Sequence, residues 1–240
     1  MAEKKFQDKL ESWGDKIVNS IKYDRLKLWK EVFFHPTDVL TAEQKNASLG
    51  RAAKDVFIAS VPSLILGFAA ILLFLAYMGF MSMGIAVMFM EYAATIGIIG
   101  MILILLSLIL YLLSPIISWL VSSLIQFVVA KILGGKAKFA THAYLTGVST
   151  ASVRAATIPF LLISMIPCIG QVAAPVATLI GFYLYYLEYK SIKIAHKVDD
   201  LRAIIATIAD ILVWTTIILL LVVSFYIGMI SLVVLSKSAS

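Results

Sequence analysis

Four long stretches of the chain contain no Asp, Glu, Lys or Arg, and they constrain the fold more than any other feature. They run over residues 56–90, 92–130, 155–187 and 211–236. A membrane-spanning helix needs roughly 20 apolar residues, so each stretch is long enough to cross a bilayer. The chain is 61% hydrophobic and 14% charged, whereas soluble domains are roughly 45–50% apolar and about 25% charged. The sequence therefore predicts an all-α polytopic membrane protein and excludes a soluble enzyme, a disulfide scaffold and an outer-membrane barrel.

Turn-forming residues divide these stretches into five predicted spans. The spans cover about residues 56–80, 92–131, 146–166, 171–189 and 204–235. The second is longer than one crossing requires, so it is either one kinked helix or a span followed by a surface-lying segment. Residues 167–170 predict a tight hairpin outside the membrane. Residues 55–240 would form the transmembrane domain, preceded by a cytoplasmic arm of residues 1–54.

The distribution of basic residues predicts the orientation of these spans. Eleven of the 20 Lys and Arg precede residue 56, and seven more lie at 131–138 and 190–202. With five spans all of these fall on one side of the membrane, whereas Arg154 lies within a span and Lys237 lies opposite. Basic residues beside spans mark the cytoplasmic side. We therefore expect a cytoplasmic N-terminus, a C-terminus outside, and no nucleic-acid partner.

An amphipathic helix is predicted in the N-terminal arm, where apolar residues recur at steps of three or four. They are Phe6, Leu10, Trp13, Ile17 and Ile21. Such a helix can lie in the membrane interface with Trp13 at headgroup depth, or its stripe can pack on this chain or another protein. Pro36 should end this segment. Thr41 and Gln44 match a capping box, which predicts that a second short helix begins there and leads into the first span.

Three ionisable residues lie near the inner ends of predicted spans: Arg154, Glu188 and Asp210. Ionisable groups inside a bilayer cost energy and are candidate functional groups. We predict an intramembrane polar cluster in which Arg154 pairs with Asp210, Glu188 or both. Two roles stay open for this cluster. It is structural, either as a clamp between helices or as side chains that extend to the headgroups, or it is part of a substrate or ion pathway.

Small residues recur every four positions in the fourth predicted span, at Ala173, Ala177 and Gly181. Such rows let helix backbones approach closely in a bilayer. This span is therefore the predicted packing centre, either within its own bundle or against a second copy.

No residue pattern predicts catalysis, a cofactor or a metal site. The histidines His35, His142 and His196 are scattered and lack the spacing that places two ligands on one helix face. A tight turn on the inner side is predicted at Gly134, Gly135 and Lys136. The residue after it is Ala137, where a phosphate-binding loop has Ser or Thr.

The order of several features resembles the Yip1 domain family. They are an aromatic entry with Phe33, Phe34, His35 and Pro36, a polar helix with Ser48, Leu49 and Gly50, the Gly134-Gly135-Lys136 loop followed by Tyr144, a span with Pro159, the hairpin at 167–170, and a tyrosine-rich exit with Tyr183, Tyr185 and Tyr186. The resemblance covers roughly residues 33–235. It implies a five-span protein.

Eukaryotic members of that family bind small Rab-type GTPases and act in traffic between the endoplasmic reticulum and the Golgi, whereas prokaryotic members are largely without an assigned activity. The arm of about 55 residues lacks a long low-complexity segment, which favours a prokaryotic member in the plasma membrane. The resulting expectation is a non-enzymatic protein that organises membrane or partner proteins, with homo-oligomers left open. The alternative is a small transporter or channel subunit that uses Arg154, Glu188 and Asp210.

Overall fold

The computed structural model describes residues 24–81, 93–164, 166 and 168–238, and the regular elements in these ranges are all helical. They are α1 (Asp24–Phe34), α2 (Pro36–Glu43), a short 3₁₀ turn (Gln44–Asn46), α3 (Leu49–Met81), α4 (Ala93–Ile132), α5 (Phe139–Ser164), α6 (Gly170–His196) and α7 (Asp200–Ser238). The five helices α3 to α7 are long and apolar enough to cross a membrane. The prediction of an all-α integral multi-pass membrane protein is confirmed. The predicted stripe of Phe6, Leu10, Trp13, Ile17 and Ile21 lies outside the described residues, as does Pro167 of the predicted hairpin.

The spanning helices extend beyond the predicted spans. Helix α4 is one continuous helix of 40 residues with Pro115 inside it, which answers the question left open for the second span. Helix α5 begins at Phe139 rather than near residue 146, and α6 continues to His196 rather than ending near residue 189. Their extra turns carry polar side chains that are buried between the helices. A count of apolar residues therefore places the start of α5 too late in the chain and the end of α6 too early.

The first spanning helix is preceded by two short helices that meet at Pro36. Helix α2 begins at this proline, which suits the first turn of a helix because the missing N–H has no intrahelical partner there. Thr41 lies inside α2, and its hydroxyl donates to the Thr37 carbonyl at 2.6 Å. Gln44 donates instead to the Ile194 carbonyl of α6 at 2.7 Å. The predicted capping box is wrong, because Pro36 starts the helix earlier and Gln44 has a partner on a distant helix.

The core is concentrated at one end of the bundle, and α5 lies at its centre. Every residue of α5 from His142 to Val153 is buried. Trp29 and Val32 of α1 and Leu40 of α2 belong to the same core, so these short helices pack directly on the spanning ones. At the other end the helices expose large apolar side chains, as a lipid-facing surface requires. The connections that carry the basic residues 131–138 and 190–202 lie at the compact end.

A row of small residues in α5 permits this close packing. A Cβ atom added to Gly147 would lie 2.8 Å from the Cβ of Ala52 on α3 and 3.0 Å from Cε2 of Trp119 on α4. Ala143 and Ala151 lie four residues before and four residues after Gly147, and both are fully buried. Helix α5 therefore approaches two neighbours at once through positions spaced by four, a signal that is present in the sequence.

The predicted small-residue row in α6 does not have this role within the chain. Ala173 is buried and Ala177 is partly buried, but a Cβ added to Gly181 would meet nothing within 4 Å. The prediction of α6 as the packing centre of the bundle is therefore wrong, because part of its small-residue face is turned to the surface. Contact of this face with a second copy stays a prediction.

Candidate functional site

Polar side chains are buried between α4, α5, α6 and α7 at the compact end of the bundle. This polar layer consists of Ser123, Gln126, His142, Thr146, Ser149, Thr150, Glu188, Ser191, His196, Thr207 and Asp210. Polar groups buried away from water are unfavourable unless they find hydrogen-bond partners. The contacts within the layer therefore show how it is organised.

Hydroxyl pairs connect α5 to the helices on either side. Ser123 of α4 and Thr146 of α5 share a hydrogen bond of 2.8 Å, and Ser149 of α5 and Ser191 of α6 share one of 2.9 Å. Thr146 also donates within its own helix, to the His142 carbonyl at 3.2 Å. Short hydroxyl side chains suit this position because they bond across helices without separating the backbones.

Two histidines that are far apart in the sequence meet in this layer. His196 Nε2 lies 3.2 Å from His142 Nδ1, within hydrogen-bonding distance, and both residues are fully buried. The Phe127 ring packs on both imidazoles, with centroid distances of 5.9 and 5.6 Å. Sequence reasoning missed the pair because the residues are on different helices. Across the ranges that the structure describes, no group of three or more potential metal ligands forms.

The turn between α4 and α5 packs against this histidine pair, at the predicted position. Gly134 has a φ of +92°, a conformation that favours glycine. A Cβ on Gly135 would lie 2.3 Å from His196 Nδ1 and 2.7 Å from the Ala130 carbonyl oxygen. The Lys136 amide donates to the His196 carbonyl at 3.3 Å. The two glycines thus let the turn lie directly against the end of α6.

The structure brings Arg154, Glu188 and Asp210 together around one cavity of about 270 Å³, hereafter the charged cavity. Arg154 comes from α5, Glu188 from α6 and Asp210 from α7, and α4 supplies the fourth wall. The aromatic side chains in the lining are Trp119, Tyr185 and Trp214. The three residues of the predicted cluster therefore line one cavity.

The partners of the three ionisable groups differ from the prediction. Arg154 donates through Nη1 to the Ser60 hydroxyl of α3, and Glu188 Oε2 accepts a hydrogen bond of 2.8 Å from Gln126 Nε2. Asp210 Oδ1 is buried without a hydrogen-bond partner. Within the described part of the chain, no ion pair joins Arg154 to either carboxylate. The predicted pairing is not formed because the guanidinium binds α3, a helix that supplies neither acid.

No protein-family model matches this chain, and neither does any curated protein or solved structure. The resemblance to the Yip1 domain family stays a prediction.

Proposed function

We propose that this chain is a non-enzymatic membrane protein of Yip1-like type that organises partner proteins at the membrane face carrying its basic residues. Basic residues beside spans favour the cytoplasmic side. The proposal therefore places α1, α2 and the arm before them in the cytoplasm, and the C-terminus outside. In a prokaryote the membrane would be the plasma membrane, and in eukaryotic relatives the corresponding role is membrane trafficking.

The supporting observation is the attachment of α1 and α2, together the helical base, to the spanning helices. The Trp29 carbonyl of α1 accepts a hydrogen bond from the Ser152 hydroxyl of α5. The Phe33 carbonyl accepts one from the Tyr183 hydroxyl of α6 at 2.9 Å, and the Phe33 and Tyr183 rings pack with centroids 4.9 Å apart. Two spanning helices thus position α1. A base held in this way presents its outer face in a fixed orientation.

The first half of α1 is attached by an ion pair. Arg25 binds the carboxylate of Asp55, which lies in α3 and is buried. An ion pair that is partly shielded from water is sensitive to the loss of either partner, because the remaining charge stays buried. The attachment therefore extends along the whole of α1, from Arg25 to Phe33.

The outer face of the base combines apolar and basic side chains. Leu26 is 58% exposed and Phe34 is 64% exposed. Together with Lys30 they border a groove of about 250 Å³ between α1 and α5, which Ala155 and Ala156 of α5 also line. Aromatic and aliphatic anchors within a charged rim are typical of protein interfaces, and unlike charges steer such association. The partner that fits best is a protein that inserts an apolar side chain here and carries acidic residues around it.

Photo-crosslinking in native membranes tests this proposal. A crosslinking amino acid at Phe34 should capture one protein, identified by mass spectrometry, and the purified partner should bind the reconstituted full-length chain. The same amino acid at Ile218, which is exposed on the apolar part of α7, is the matched control and should capture lipid only.

Substitution of Lys30 by Glu should reduce the yield at Phe34, because it reverses a charge beside the groove. Capture of lipid alone from Phe34, or a protein adduct unchanged by Lys30→Glu, would overturn the proposal. The first result would make the base a membrane anchor.

A further inference from the structure

The charged cavity is lined by an arginine and two carboxyl residues, and no ion pair joins them among the residues that the structure describes. Asp210 is 4% exposed and Glu188 is 5% exposed, yet one oxygen of Asp210 has no hydrogen-bond partner. The guanidinium of Arg154 binds the uncharged Ser60 hydroxyl. Removing charges from water is strongly unfavourable unless they are paired and hydrogen-bonded. The cavity therefore holds a basic and two acidic residues around a shared space, and none of the three has an ionic partner in the described ranges.

Aromatic rings line the same space as the two carboxyl groups. The Trp214 indole N–H donates to the Ser122 hydroxyl at 2.8 Å. A ligand can therefore interact with this side chain through the face of its ring. Trp119 and Tyr185 also line the cavity. Aromatic faces attract ammonium groups, as carboxylates do. This part of the cavity is suited to a nitrogen cation.

The guanidinium of Arg154 makes another part of the cavity suited to an anionic group. Arginine offers several N–H donors in a planar fork that matches carboxylate and phosphate groups. One of its terminal nitrogens binds Ser60, which fixes the side chain and leaves other donors. A simple cation would be repelled by Arg154, and a simple anion by Glu188 and Asp210. A molecule with both charges would satisfy the two groups of residues together.

We propose that the charged cavity binds a small zwitterion, a molecule with an ammonium group and a carboxylate or phosphate group. The ammonium lies near Glu188 and Asp210, and the anionic group binds Arg154. The volume of about 270 Å³ is close to the lower end of the roughly 300–1,000 Å³ range of ligand pockets. The zwitterion is either a free solute or the headgroup of a zwitterionic phospholipid. Binding does not depend on the docking function proposed above, and it names a ligand class should the chain transport a solute.

Binding measurements on the full-length protein in phosphatidylglycerol nanodiscs test the proposal with matched probes. Glycine betaine and L-alanine carry both charges. The compound 3,3-dimethylbutyrate has the shape of glycine betaine without its positive charge, and choline lacks the negative one. At least one zwitterion should bind roughly tenfold or more tightly than both single-charge probes, because each lost charge leaves a buried group unpaired.

Variants locate the binding in this cavity. Asp210→Asn and Glu188→Gln are nearly isosteric and should weaken zwitterion binding roughly tenfold, as expected for the loss of a hydrogen bond to a charged group. Arg154→Met should have a similar effect. Asp199→Asn is the matched control, since Asp199 is exposed and its carboxylate pairs with Arg202, and it should leave affinity unchanged. Unfolding temperatures without ligand check that each variant is folded.

A second arm distinguishes the two sources of the zwitterion. Native mass spectrometry from nanodiscs containing phosphatidylethanolamine should show this lipid retained by the wild type and lost from Asp210→Asn if the headgroup is the ligand. Tighter binding of a soluble zwitterion, without such retention, assigns a free solute. Binding in which neither glycine betaine nor L-alanine exceeds the affinity of 3,3-dimethylbutyrate and choline would overturn the proposal. So would the absence of both zwitterion binding and variant-dependent lipid retention, which would leave the cavity filled with water only.

Discussion

His196 Nε2 lies 3.2 Å from His142 Nδ1, so a pair of buried imidazoles joins the last turn of α6 to the first turn of α5. Gly135 of the preceding turn packs on the same His196 ring, and the Lys136 amide binds its backbone carbonyl. Helix α5, helix α6 and the turn between α4 and α5 thus contact one another at this histidine pair. This arrangement makes the pair a structural element whose loss can be measured.

Replacement of either histidine by alanine should destabilise the folded protein. His196→Ala removes a buried ring and leaves His142 Nδ1 without its partner, which should cost about 2–5 kcal/mol by comparison with other large-to-small core changes. The double variant should be less destabilised than the sum of the two single variants by about 1 kcal/mol, since one hydrogen bond is lost in each. Unfolding in mixed detergent micelles measures these free energies.

The matched control for this cycle is His35→Ala, because His35 is exposed between α1 and α2. We expect this variant to unfold like the wild type. Strict additivity of His142→Ala and His196→Ala would show that the two rings do not interact.

The ion pair between Arg25 and Asp55 should determine whether α1 stays attached. Arg25→Ala leaves a carboxylate that is only 3% exposed without its partner, so we expect faster proteolysis within α1 and a loss of stability of about 1–3 kcal/mol. Lys193→Ala removes an exposed pair with Asp200 and should change neither readout. Equal protease resistance of Arg25→Ala and the wild type would mean that the apolar contacts of Trp29 and Val32 suffice.

Two glycines provide a matched test of the packing centre. Gly147→Ala would place a methyl group 2.8 Å from the Ala52 Cβ and should destabilise the bundle by about 1–3 kcal/mol through overpacking. Gly181→Ala meets no atom within 4 Å and should be neutral or stabilising by up to about 1 kcal/mol, as alanine is favoured in helices. Thermal unfolding in detergent measures both changes. A destabilising Gly181→Ala with a neutral Gly147→Ala would reverse the assignment.

The Gly181 variant also addresses assembly. If the small-residue face of α6, which is open at Gly181, packs against a second copy, Gly181→Ala should weaken that association, since a methyl group separates closely packed backbones. Crosslinking yield in the membrane measures this effect. An unchanged yield would argue against a dimer through this face.

The five spanning helices that the structure describes could be predicted from the sequence, but the ends of some of them could not. Long apolar stretches specify spans because the bilayer interior excludes charged groups. The first turns of α5, before Thr146, were missed because residues such as His142 resemble loop residues in a hydropathy count. His142 is buried through its contact with His196, which comes from another helix. Local composition contains no information about such partners.

The charged cavity shows the same limit. The sequence identified Arg154, Glu188 and Asp210, because ionisable residues within spans are conspicuous. It did not identify Ser60 or Gln126 as the groups that bind Arg154 and Glu188, since Ser and Gln are common and lie on distant helices. Charge indicates which residues to examine, whereas the packing of the helices decides which groups they meet.

The orientation of the chain in the membrane can be tested at its single cysteine. Cys168 is exposed in the connection between α5 and α6, at the opposite end of α5 from the histidine pair. If the basic end is cytoplasmic, this connection lies outside. A membrane-impermeant maleimide should therefore label Cys168 in intact cells. Gel shift or mass spectrometry measures the labelled fraction.

The opposite face is tested by Lys136→Cys in a Cys168→Ser background, because Lys136 is exposed in the turn between α4 and α5. This cysteine should be labelled only after the membrane is permeabilised. Helix α5 separates the two positions, so a correct topology requires opposite results from them. Labelling of Lys136→Cys in intact cells, with Cys168 protected, would invert the topology and place the helical base outside. Such an outcome would also remove the cytoplasmic docking surface, whereas the charged cavity would keep its ligand preference in either orientation.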